Sequence, residues 1–215
     1  MILNALQHGE KHLQTMYISH VPCGHCRQFM CELVKSEDMG IHIVGKEGKR
    51  FTVPELLPMR FTPRDLIGDS AIFLFDEVDN NLVWTSESKD LLNEASTTDT
   101  FRAMAKESLV EANSSYAPYS NCPSGVCILD VHGNLYSGSL IESAAYNPSV
   151  SPLHSALVNG LIKGGLEKWE EIEHVMLVEP ADASVKHEHV LKEVLKFISL
   201  EAQYTVLYCT TNKEE

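Results

Sequence analysis

Apolar residues fall along this chain in short blocks whose spacing switches between the helical and the extended period. Ile2, Leu3 and Leu6 form a helical stripe that Gly9 is placed to end. Met16-Tyr17-Ile18-Ser19 has the apolar, aromatic and β-branched character of a short buried strand, and Phe29, Met30, Leu33 and Val34 return to helical spacing. Ile41 to Val44 and Ala71 to Phe75 read as two further strands. Between them, Gly45 to Asp69 holds Pro54, Pro58 and Pro63 with little periodicity and reads as a connecting excursion. A polar turn follows at Asp79-Asn80-Asn81, and a linker rich in Ser, Thr and Asp runs from Thr85 to Asp99.

The later half is more regular. Phe101, Met104, Ala105, Leu109 and Ala112 mark an amphipathic helix with Thr98 or Asp99 as its cap. Gly125 to Leu129 and Leu135 to Ser139 bracket Val131-His132-Gly133-Asn134, which predicts a hairpin. A helix through Leu153, Ala156, Leu157 and Leu161 precedes a strand that ends at Pro180. Another through Val190, Leu191, Val194, Leu195 and Ile198 precedes a last strand, Tyr204 to Tyr208. Hairpin, helix, strand, helix and strand in that order imply a mixed sheet covered by helices, an α/β sandwich.

The pattern also repeats. Leu3 to Gly9 is echoed by Val158 to Gly164, and the strand ending at Pro22 by His174 to Pro180, with three extra residues between in the second copy. Helix, glycine, strand and proline recur in one order, which suggests a duplicated unit. In this register Cys23 and Cys26 become Ala181 and Ser184.

Bulk properties narrow the functional classes. With 215 residues and 44% apolar content, the chain can bury one large core or two small ones, and two domains are expected. A formal charge of −13 opposes broad attraction to nucleic acid or anionic membranes, and neither a Lys/Arg run nor a glycine-rich phosphate loop occurs. A small uncharged substrate fits better. Six scattered cysteines do not make a dense disulfide framework, and no signal segment or long apolar span opens the chain, so a cytoplasmic protein is expected.

The chemistry concentrates at Pro22-Cys23-Gly24-His25-Cys26-Arg27-Gln28, a Cys-x-x-Cys pair on a strand-to-helix turn. Free N–H groups and the positive end of a helix stabilise anionic sulfur there. Such a pair can ligate zinc, cycle as a dithiol, or pack as two small buried residues. Cys-Gly-His-Cys resembles the dithiol of protein disulfide isomerases, although this chain has Pro22 and Arg27 where that family carries an aromatic residue and usually a Lys.

The same heptapeptide is similar to the zinc half-motif of the cytidine deaminases. Tyr119-Ser120, Pro123-Ser124-Gly125-Val126, Ser137-Gly138-Ser139 and Glu142-Ser143-Ala144-Ala145-Tyr146-Asn147-Pro148 resemble the non-catalytic second domain of the two-domain, homodimeric bacterial members. The resemblance covers essentially the whole chain. It implies a three-layer α/β/α sandwich with a mixed sheet, duplicated, with the first copy truncated. Residues 1–50 would be the remainder of a catalytic domain, 51–97 a connecting segment and linker, and 98–215 a second, non-catalytic domain.

The function implied is hydrolytic deamination of cytidine or deoxycytidine to the uridine nucleoside plus ammonia, in pyrimidine salvage. In zinc deaminases a His and two Cys hold the metal, which activates a water, and a glutamate outside the ligand set shuttles protons. By resemblance Cys23 and Cys26 are two zinc ligands, Phe61 packs over the pyrimidine ring, and Ala145 and Tyr146 approach the nucleoside from the opposite subunit of a homodimer. Arg27 is expected to stabilise the thiolates.

The family's His-Ala-Glu tripeptide falls before Met1 in this register and is absent from the chain, so no catalytic glutamate is assigned and little or no activity is expected. Ser151-Pro152-Leu153 stands opposite that tripeptide in the second copy, with His154 one position later. His25 would reach a metal only by distorting the helix start. Two other readings remain open: a non-catalytic partner of a full-length deaminase, and a dithiol oxidoreductase.

Overall fold

A computed structural model describes residues 1–46 and 48–212. Its strands form two sheets, one of three strands and one of five.

The smaller sheet takes the order β1-β2-β3. Helix α1 (Ile2–Gln7) ends before Gly9, whose φ of +71° reverses the chain at little steric cost. Strand β1 (Thr15–Ile18) follows, then helix α2 (Gly24–Met30) and strand β2 (Gly40–Ile43), which runs parallel to β1. The two-residue strand β3 (Arg50–Phe51) adds antiparallel to β2. Met16, Ile41 and Ile43 point into a core with Met30, Leu33 and Leu74, and Tyr116 and Ile141 enter that core from the later half of the chain.

Three expectations in this half are corrected. Helix α2 stops at Met30, so Leu33 and Val34 lie beyond it, in a turn region. Ala71 to Phe75 is not a strand, because only Leu74 pairs, in an isolated parallel bridge to Leu33. The proline-rich excursion contains two short helices, α3 (Val53–Leu56) and α4 (Pro63–Ile67), each with Pro in its first turn and each started by a threonine capping box.

The larger sheet is mixed, in the order β4-β8-β7-β5-β6. Its strands are β4 (Leu82–Trp84), β5 (Gly125–Asp130), β6 (Leu135–Ser139), β7 (Ile172–Pro180) and β8 (Gln203–Thr211). Strands β7 and β8 are parallel and the other neighbours antiparallel. The stretch read as a linker holds helix α5 (Ser86–Asn93), started by the Thr85 hydroxyl, so the chain between β4 and the next helix is structured rather than extended.

Helices cover both faces of this sheet. Helix α6 (Asp99–Asn113) begins at Thr98, whose hydroxyl accepts the Phe101 N–H at 3.2 Å, and buries Met104, Ala105 and Ala112 against Cys127, Met176 and Val178. Helices α7 (Pro152–Lys163) and α8 (Glu188–Ile198) bury Leu153, Ala156 and Leu191 against Val126, Ile128, Val175 and Leu177. Alternate strand residues thus feed opposite layers, and the result is the three-layer α/β/α sandwich.

Each half contains a helix–strand–helix–strand run ending in a parallel pair, α1-β1-α2-β2 and α7-β7-α8-β8. Helix α1 lies against α7, and Gln7 Nε2 donates to the Ser137 carbonyl at 3.3 Å. Among the described residues no helix is long and apolar enough to cross a membrane.

Candidate functional site

Strand β1 delivers the chain through a bend at Ser19 and His20 to the buried Pro22, and Cys23 is the N-cap of α2 in extended conformation. Cys26 sits in the first turn of that helix. The two sulfurs are 3.6 Å apart, both residues are exposed, and neither forms a disulfide. Two metal–sulfur bonds of about 2.3 Å at the tetrahedral angle span about 3.8 Å, so the pair already has the bite of a zinc dithiolate.

The electrostatics of the two thiols differ. The backbone N–H of Cys26, then its thiol, favour the Cys23 thiolate and lower its pKa, whereas burial raises that of Cys26, reinforced by its neighbour Cys23. Arg27 does not bond sulfur as expected. Its Nε donates to the Pro22 carbonyl at 2.8 Å and its Nη1 to the Leu56 carbonyl at 2.9 Å, which ties the motif turn to the end of α3.

The cysteines open onto a groove of about 500 Å³ whose walls include Leu3, Met16, Ile18, Phe29, Met30 and Val150. The groove is mostly apolar, and it could take a flat ring. Among the described residues, no group of three or more His, Cys, Asp or Glu side chains could hold a metal ion. The pair therefore fits half of a zinc site, which no other described residue completes. His25 is exposed beside the pair, and His154 is engaged at the start of α7, its Nδ1 3.0 Å from the Ser151 hydroxyl.

Phe61 is 40% exposed and lies outside the walls of the cysteine groove. Its link to the motif is Gln28, whose Nε2 donates to the Phe61 carbonyl at 2.5 Å. Ala145 and Tyr146 lie on a different surface. Tyr146, with φ of +62° and 82% exposure, helps line a second cavity of about 450 Å³ with Tyr119, Glu142, Ser151 and His187. Within this chain Phe61, the cysteine pair and the Tyr146 loop are not gathered into one pocket.

One residue that sequence reasoning missed joins the segment after α2 to the Tyr146 loop. Glu32, just past α2, is fully buried and takes hydrogen bonds from Tyr119 and Tyr116 and from Ser143 and Ala144 of the Tyr146 loop. A carboxylate among Cys31, Leu33 and Val34 gave no sign of partners so distant in sequence.

In the second copy the turn corresponding to the cysteine motif is built differently. Helix α8 starts only at Glu188, so Ala181 and Ser184 occupy a loop of turn and bend rather than a helix start. There the Ser184 hydroxyl lies 3.4 Å from Cys122 Sγ, which also accepts the Val185 N–H at 3.5 Å.

Comparison with known proteins decides the family. The model of the cytidine and deoxycytidylate deaminase zinc-binding region matches residues 53–192. Cytidine deaminase 1 of Arabidopsis thaliana is 36% identical over 220 residues, covering 97% of this chain and 72% of that protein. The chain belongs to the cytidine deaminase family.

Cytidine deaminase 6 of the same plant is 38% identical over 196 residues, covering 89% of this chain and 65% of its own length. A solved cytidine deaminase from Mycobacterium leprae is 22% identical, covering 51% of this chain and 89% of its own, with a TM-score of 0.42, a superposition too loose to transfer residue roles. The family is one of hydrolytic deaminases, and zinc is its metal. Its match favours neither the dithiol oxidoreductase nor the partner-only reading. In this cytidine deaminase family member the matched zinc-binding region contains Ala181 and Ser184, while Cys23 and Cys26 precede it.

Proposed function

We propose that the chain contributes to hydrolytic deamination of cytidine or deoxycytidine, with Cys23 and Cys26 as two zinc ligands. The observation that carries this reading is the 3.6 Å sulfur pair at a helix start, opening onto an apolar groove in a chain of this family. Held by Cys23 and Cys26, zinc would supply the acidity that makes water a nucleophile near neutral pH. The chain's own contribution is to hold two thiolates at the required separation and to exclude water with Met16, Ile18 and Phe29.

Phe61 packs over the pyrimidine, its backbone held by Gln28, and Ala145 and Tyr146 approach the nucleoside bound to the other subunit of a homodimer. Residues 1–50 belong to the catalytic unit and 98–215 to a non-catalytic one. In the 51–97 segment between them, β4 pairs with β8 of the larger sheet. Work in cytoplasmic pyrimidine salvage follows from that substrate class.

Among the described residues no third ligand or proton shuttle stands beside the cysteine pair, and the chain by itself is expected to be inactive. The test is cytidine absorbance in the presence of zinc, with binding followed by calorimetry. Cytidine binding without turnover is expected. Zinc-dependent turnover by this chain alone overturns the incomplete-site reading, and absence of any cytidine binding overturns the substrate assignment.

A further inference from the structure

Glu32 is 0% exposed, and among the described residues no cation pairs with it. Burying a carboxylate without a cation is costly unless hydrogen bonds satisfy its oxygens. What distinguishes this one is how its oxygens divide their partners.

Oε2 accepts the Tyr119 hydroxyl at 2.7 Å and lies 3.1 Å from the Tyr116 hydroxyl, both on the connection between α6 and β5. Oε1 accepts the Ser143 hydroxyl at 3.0 Å and the Ala144 N–H at 2.8 Å. The loop's other bonds at this point are internal: Ser143 N–H to the Ser149 hydroxyl at 2.9 Å, and Tyr146 N–H to the Ser143 carbonyl at 2.8 Å. These shape the loop, and its base is held at Glu142, whose N–H donates to the Tyr116 carbonyl at 2.9 Å and whose Oε2 accepts the Tyr119 N–H at 2.9 Å and the Ser120 N–H at 3.2 Å. Beyond that base its tie to the cysteine-bearing segment is Glu32. Glu32 Oε1 fixes it to the segment that follows Cys26 and α2, two residues before the exposed, left-handed Tyr146.

We propose that Glu32 is a positioning residue, which holds the Ser143–Tyr146 loop in register with the cysteine-bearing helix so that Tyr146 is presented in one geometry to a bound nucleoside. The nucleoside part rests on the reading given under Proposed function. The loop's attachment does not. Gln in place of Glu keeps an oxygen for Ser143 and Ala144 and can donate its amide to a tyrosine oxygen. Leu keeps the volume and loses every acceptor.

The test is amide hydrogen exchange and cytidine calorimetry on the full chain and its Glu32→Gln, Glu32→Leu and Ser143→Ala variants. Glu32→Leu is expected to speed exchange at residues 143–147 at least tenfold and weaken cytidine binding at least tenfold, with β5 and β7 still protected. Glu32→Gln should restore most of both. Ser143→Ala, which removes one contact from the loop side, should speed the same amides even if Glu32→Leu does not fold.

Unchanged loop exchange in Ser143→Ala, or in a Glu32→Leu variant whose β5 and β7 stay protected, overturns the proposal. If the wild type binds no cytidine while the loop is released selectively, the positioning role stands and the substrate reading falls.

Discussion

Glu32 and Ala144 are 112 residues apart in sequence, yet the carboxylate Oε1 accepts the Ala144 N–H at 2.8 Å. This contact joins the end of the cysteine-bearing segment to the loop of the second copy. It makes the two halves of the chain share one buried polar centre, alongside the apolar core they share through Tyr116 and Ile141.

Burial pushes the Glu32 carboxyl upward, and the bonds from Tyr119, Ala144, Ser143 and Tyr116 pull it only partly back. Because the folded value is raised, the proton-bound form carries a stabilisation that is complete below the ordinary glutamate range, about 4.3, and lost as pH rises through the folded value. The urea midpoint of the wild type relative to Glu32→Gln should fall over that window and level off above it. A difference that rises with pH contradicts this.

Asp130 has the opposite sign. Burial alone would raise it, but bonds from Asn134 Nδ2 at 2.9 Å and N–H at 2.8 Å, Tyr136 Oη at 2.9 Å and His132 N–H at 2.9 Å outweigh that and lower it. Its stabilisation is present above the ordinary aspartate range, about 3.9, and lost as pH falls through the depressed folded value. Asp130→Asn should cost about 1–3 kcal/mol at pH 7. In urea unfolding that deficit should shrink at pH 3.

The six thiols should separate cleanly under alkylation. Cys23 and Cys26 are exposed, whereas Cys31 is buried with its thiol pushed up to about 11, and Cys127 and Cys209 to about 12. Cys122 is buried too; desolvation would raise its thiol, but the bonds from Ser184, Val185 and Ser120 outweigh that and lower it, so burial alone protects it. Iodoacetamide at pH 8, read by mass spectrometry of the native chain, should label Cys23 first and Cys26 second, because the thiolate is the reactive form and Cys23 is the more acidic. Equal labelling of all six would show that the core is not packed as described.

Two glycines set how closely helices approach the larger sheet. A Cβ at Gly125 would meet the backbone of Ser108 and Ala112 in α6, and one at Gly138 the backbone of Ser155 and Ala156 in α7. Gly125→Ala and Gly138→Ala should each cost about 1–3 kcal/mol through forced helix displacement. Gly133→Ala meets open space and should cost about 1 kcal/mol, from its φ of +84° alone. Denaturant melts of the three variants check the order.

Much of this architecture is legible in the residues, and the exceptions have physical causes. Val126, Cys127 and Ile128 feed opposite cores, so strand β5 stands out by its apolar run and the turn at Gly133. The Thr98 cap and the stripe from Phe101 to Ala112 likewise define α6. Helix α5 was hidden because its Ser, Glu, Lys and Asp content reads as linker, whereas what makes it a helix is the Thr85 cap and packing on β8. Leu33 and Val34 continued a helical period past Met30 because apolar spacing cannot show that the Glu32 carbonyl is taken by the Leu74 N–H at 2.7 Å. At the candidate site the Cys-x-x-Cys pair and its helix start were plain. Glu32 and the Arg27 bonds to Pro22 and Leu56 were not, because their partners come from tertiary packing.

If Cys23 and Cys26 bind zinc as a pair of thiolates, cobalt in place of zinc makes those bonds visible. Titration of the purified chain with Co²⁺ should give sulfur-to-metal charge-transfer absorption with the intensity of two thiolate bonds. That intensity should be roughly halved in Cys23→Ser or Cys26→Ser, absent in the double variant, and displaced by zinc. No charge-transfer band in the wild type, or an undiminished band in the double variant, would contradict the account.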